Sequence, residues 1–117
     1  MDGRTQNPVI EWMRKHYAVS YVDMITEPGV DAVLAENRDT RTIESIRRRV
    51  SISVEKHGSK LIAVAGHHDC AGNPVDESAH LAHIRSAIKT VASWGFSAEV
   101  FGIWVGEHWN VDSEIHL

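Results

Sequence analysis

The feature that most constrains this chain is a short apolar run, Lys60-Leu61-Ile62-Ala63-Val64-Ala65-Gly66, set between two amphipathic segments. It is bounded by Gly58 and Gly66, and it lacks the polar alternation of a half-exposed strand. It therefore reads as a strand buried on both faces, as in a parallel sheet. Ahead of it, Asp39-Thr40 opens a helix that runs to about Lys56. Ile43, Ile46, Val50 and Val54 recur three and four apart and form one apolar stripe. His57-Gly58 ends that helix, with glycine as the stop. Behind the run, Asp76-Glu77-Ser78 opens a second helix whose buried stripe is Leu81, Ile84, Ile88 and Val91. Acidic residues suit such a start, and Trp94-Gly95 is the end.

The rest of the chain continues the alternation. Asn7-Pro8 has the N-cap and first-position residues of a helix reaching about His16. Residues 18–25 are rich in β-branched and aromatic side chains and read as a strand. That strand closes at the turn signal Thr26-Glu27-Pro28-Gly29. Residues 30–36 suit a short helix, and residues 97–105 a third strand. Helix, strand, helix, strand, helix, strand predicts an α/β fold in which a mainly parallel β-sheet is flanked by helices. The 117 residues suit one domain, spanning 1–117. In such a sheet, ligands bind beyond the carboxyl ends of the strands. Asp23, His67 and Cys70 can then face one crevice.

Charge and composition remove several partner classes. The net charge is -4, and the only basic cluster, Arg47-Arg48-Arg49, fans out around a helix, so no nucleic-acid surface is expected. No apolar stretch approaches the ~20 residues of a membrane span. The start of the chain has no apolar signal segment. A single cysteine forms no intrachain disulfide and fits a reducing compartment. A cytoplasmic protein without a membrane partner is the expectation. The 8 histidines point to metal or proton chemistry.

That chemistry is concentrated in Gly66-His67-His68-Asp69-Cys70, directly after the apolar strand. An imidazole and a thiolate two residues apart suit zinc, and Gly66, Gly72 and Pro74 permit an unusual backbone path. Alternatively, Cys70 is a small buried core residue. His68 is a supplementary ligand, a proton shuttle or a solvent-facing residue. Asp69 either accepts a hydrogen bond from a ligand or caps the loop. His80 and His83 share a helix face, read as solvated or as an interface. His108 falls in a terminal loop, and His116 lies near a loose chain end.

The stretch LIAVAGHHDCAG resembles the β-class carbonic anhydrases, in which an apolar strand leads into G-H-x-x-C. The order of elements across residues 18–112 is similar as well. The resemblance implies a zinc enzyme that hydrates carbon dioxide to bicarbonate through zinc-bound hydroxide, with His67 and Cys70 as ligands. It also implies a homodimer or higher homo-oligomer. The family's first zinc ligand is the cysteine of a C-x-D-x-R motif, often followed closely by proline. Anchored on Pro28, that motif places Tyr21 at the cysteine, Asp23 at the aspartate and Ile25 at the arginine. On this register the chain is a short, divergent member in which Asp23 becomes the third zinc ligand and a catalytic residue. The alternatives are a catalytically silent relative that binds zinc or a small anion for regulation or assembly, or hydrolysis of another small substrate such as a heterocumulene.

Overall fold

The computed structural model describes residues 1–117. Its elements are α1 (Gly3–Tyr17), α2 (Val30–Glu36), α3 (Thr40–His57), β1 (Leu61–His67), α4 (Glu77–Ala92), β2 (Glu99–Val105) and β3 (Val111–Ile115). The helix starts follow side-chain caps. Asp39 accepts from the Thr42 backbone N–H, and Asp76 from that of Ala79, each satisfying an otherwise unpaired amide of a first turn. Gly58 ends α3 with φ 74°, in the left-handed region. The first helix starts at Gly3 rather than at Pro8, because Asp2 caps it by accepting from the Arg4 N–H. Pro8 then lies inside the helix.

The α/β class holds, but the sheet is mixed rather than mainly parallel. It has three strands in the order β1-β2-β3. β1 and β2 run parallel, with Leu61 opposite Glu99 and His67 opposite Val105. β3 returns antiparallel to β2 through the turn at residues 106–110. The strand expected at residues 18–25 does not form. That segment is irregular between α1 and α2, and none of its backbone groups joins a sheet ladder. Strand-like composition makes a strand only when a neighbour supplies the hydrogen bonds.

Helices cover both faces of the sheet. On one face, Val9 and Met13 of α1 pack on Phe101, Ile103 and Val105, with Leu61, Ala63 and Ala65 alongside. On the other, Leu34, Ile46, Val50, Ala87 and Val91 gather around Val64. Ile84 and Ile88 of α4 continue this layer onto Trp104 and Ile115. β1 is thus apolar on both faces, as its composition requires. Its carboxyl end opens into the loop that carries His67 and Cys70.

Candidate metal centre and its surroundings

The loop after β1 is held from several sides. The His68 N–H donates to the Val105 carbonyl at 2.8 Å, which carries the sheet pairing one residue past the strand. Asp69 takes a left-handed backbone, φ 54°. Gly72 then meets the Pro28-Gly29 turn backbone to backbone. A Cβ on Gly72 would lie 2.5 Å from the Gly29 nitrogen, and one on Gly29 2.5 Å from the Gly72 carbonyl oxygen. Two glycines at this contact let the chains touch. Asn73, buried, donates through Nδ2 to Asp31 Oδ1 at 3.2 Å and to His83 Nδ1 at 2.9 Å.

His67 is oriented by its own loop. Its Nδ1 lies 2.7 Å from the His68 carbonyl oxygen. A carbonyl only accepts, so Nδ1 carries the proton, and in the neutral ring Nε2 keeps the lone pair. This is how a metal-ligating histidine is usually prepared. Cys70 is buried and is the single free thiol.

Beside this loop stands a pair that the reading anchored on Pro28 overlooks. The Arg4 guanidinium donates to Asp2, Nη2 to Oδ2 at 2.6 Å and Nε to Oδ1 at 3.0 Å. It reaches Asp69 Oδ2 at 3.3 Å and lies 4.0 Å from the centroid of the Trp109 ring. The side-chain and backbone hydrogen bonds from Arg4 hold the Asp2 carboxyl well below the usual carboxylate range. Asp2-Gly3-Arg4 has D-x-R spacing and is followed by Pro8. That signal was present in the sequence.

Asp2, Asp23, Gly66, His67 and Cys70 all line one cavity of about 510 Å³, most of whose wall is apolar. Asp23 has a partner elsewhere: its Oδ2 lies 2.6 Å from His57 Nδ1. Hydrogen bonds from Ser53 and His57 lower its pKa. The structure does not gather Asp23, His67 and Cys70 into one cluster. No three His, Cys, Asp or Glu side chains come together to hold a metal ion. His67 and Cys70 therefore offer two zinc donors of suitable kind, and these residues alone do not complete a three-ligand site.

His68 and Asp69 are turned outward on the loop. The His68 ring packs edge-on against Trp109. His80 is not solvated. It is 1% exposed and faces Asp31, likewise 1% exposed, with Nδ1 2.6 Å from Oδ2. Its Nε2 is buried without a partner, and its ring packs on Trp104. This group supports the site from beneath, since a Cβ on Gly66 would come within 3.0 Å of Asp31 Oδ2. His116 stacks on Phe101 instead of fraying, and His108 lies exposed in the β2–β3 turn. No helix is long and apolar enough to cross a membrane.

Comparison with curated proteins and with solved structures gives no match. A family model described as "Putative carbonic anhydrase" matches residues 1–114, taking in both the Asp2–Arg4 pair and the His67–Cys70 loop, so this chain belongs to that family.

Proposed function

We propose that the end of β1 is a carbonic anhydrase-type site for carbon dioxide and bicarbonate, with zinc held by His67, Cys70 and a thiolate placed immediately ahead of Met1. The observation that carries this is the Asp2–Arg4 pair beside a histidine whose Nε2 is free to coordinate. Laid on Asp2 and Arg4, the C-x-D-x-R motif has its cysteine place one residue before Met1. This register keeps the aspartate and arginine together, which the register on Asp23 does not. Zinc there would supply Lewis acidity.

The chain's own residues have definable parts. Arg4 keeps Asp2 ionised and engaged. The His68 carbonyl fixes the His67 tautomer. Arg4 is the nearby cation for the anionic product.

The test compares chains carrying Ala-Cys or Ala-Ser ahead of Met1, by metal analysis and by stopped-flow carbon dioxide hydration. The Ala-Cys chain should hold about one zinc, three protein ligands being the usual catalytic set. It should lose the zinc on His67→Ala or Cys70→Ser and keep it on Asp23→Ala. Equal zinc in the Ala-Cys and Ala-Ser chains would remove the third-thiolate reading. Zinc loss on Asp23→Ala would restore Asp23 as a ligand. Zinc without hydration above buffer would favour the catalytically silent relative, a reading supported by the two-donor count of residues 1–117.

A further inference from the structure

β1 has the composition of a strand inside a sheet and the position of a strand at its edge. Its ladder shows which edge is open. Lys60 accepts from Glu99 and His68 donates to Val105, so the even-numbered residues between them face β2. In a parallel pair a residue's N–H and C=O point the same way. Leu61, Ala63, Ala65 and His67 therefore point their backbone groups away from β2. β1 pairs with no other strand, and these four residues enter none of the loop or turn backbone bonds.

A second stretch that lines this cavity is in the same condition. Residues 22–26 lie outside any helix or strand, and their backbone groups enter no backbone hydrogen bond either. Two rows of peptide groups without backbone partners thus border an apolar cavity of about 510 Å³. Folded interiors have few voids larger than a water molecule, and an unpaired strand edge is a ready template for another strand. The remaining walls are apolar on both sides, Val9 and Met13 from α1 and Ile46 and Val50 from α3.

We infer that this cavity is the slot for one more β-strand, an extended apolar segment of about seven residues joined to Met1 and running parallel to β1. The direction follows from the ends of the slot. Leu61 and His67 lie at the two ends of β1, and Asp2 lies at the His67 end, because Arg4 holds both Asp2 and Asp69. A segment that reaches Met1 through the slot must run as β1 runs. The strand would pair with β1 on one side and with residues 22–26 on the other, and its two faces would meet α1 and α3. It must therefore be apolar on both faces, as a central strand is. A second copy of the chain fits poorly, because the slot is walled on both sides and a sheet edge arrives with its own helices. This inference does not depend on metal or on catalysis.

The test uses extensions without cysteine, so its outcome is separable from that of the zinc proposal. A Val/Ile-rich heptapeptide is fused ahead of Met1, and a Gly/Ser heptapeptide serves as the control. Amide hydrogen exchange is followed by NMR on the monomeric fraction from size exclusion. The apolar extension should slow exchange at Leu61, Ala63, Ala65 and His67 by about tenfold or more, the sign of local opening being suppressed. The Gly/Ser extension should not. Equal exchange at these four amides in the two chains overturns the proposal. Concentration-dependent protection of the same amides in the unextended chain also overturns it, by assigning the edge to a second copy.

Discussion

At the scale of single residues, the candidate site is legible where its members are contiguous in the chain. His67 and Cys70 could be read from their spacing after an apolar strand, because strand, glycine and H-x-x-C lie contiguous in the chain. Asp2 and Arg4 are equally contiguous, but no cysteine precedes them in the sequence, and Pro28 offers the motif a second anchor besides Pro8. The Asp31–His80 pair could not be read, because nothing local marks an aspartate in a short helix as the partner of a histidine 49 residues later. That pair carries a strong prediction. The Asp31 carboxylate accepts hydrogen bonds from His80 Nδ1, from Asn73 Nδ2 and from the Ala32 N–H. Asp31→Ala leaves buried donors unmatched, and breaking a buried pair from one side costs about 3–5 kcal/mol. Urea denaturation should show a loss of that order. Asp31→Asn retains an acceptor for His80 and should lose less. An equal loss in both variants would mean that volume, not hydrogen bonding, holds the group.

At the scale of elements, α3 and α4 follow the capping and periodicity visible in the sequence, α2 forms at the expected residues without a side-chain cap, and α1 begins earlier than expected, where Asp2 caps it. Strands were less legible. Residues 18–25 have strand composition without a strand's neighbour, while Val111–Ile115 has a neighbour and little composition, being short with three polar residues at its centre. Pairing is a property of two segments and cannot be read from one. The element contact most open to test is that between the Cys70 loop and the Pro28-Gly29 turn. Gly72 is not in the left-handed region, so an added methyl strains no dihedral there. It meets Gly29 N at 2.5 Å and Pro28 C at 2.6 Å, and backbone cannot swing aside as a side chain can. Gly72→Ala should separate loop from turn and destabilise the fold by about 1–3 kcal/mol, the cost of overpacking. Gly3→Ala, where an added methyl meets nothing within 4 Å, is the control. A stability for Gly72→Ala that matches the control in thermal melts would show that the loop moves freely.

At the scale of the molecule, ionisable contacts spread over both ends of the fold give its stability a definite pH profile. Asp2, Asp23, Asp39 and Glu114 all have carboxyl pKa values lowered in the folded state, by hydrogen bonds from Arg4, Ser53, Thr42 and Tyr17 respectively. In acid the unfolded chain binds protons that the folded chain does not, so stability rises with pH there. This contribution is complete above the ordinary carboxylate range and is lost as pH falls through the lowered folded values. Tyr17 acts in the opposite sense. Burial and its hydrogen bond to Glu114 raise it from 10.0 to about 12. Its contribution is complete below 10 and is lost as pH rises through about 12. Urea midpoints should therefore form a plateau across neutral pH with a falling limb at each end. The Tyr17–Glu114 contact joins the end of α1 to β3, so one substitution tests both limbs. Glu114→Gln removes a low carboxyl from the acid side and one cause of the high phenol from the alkaline side. Both limbs should become shallower, the alkaline one only in part because burial of Tyr17 remains. The changes should be small and should shrink in salt, since these groups are near solvent. An alkaline limb unchanged in Glu114→Gln would leave burial as the sole cause of the raised Tyr17 pKa and would remove the clamp between α1 and β3.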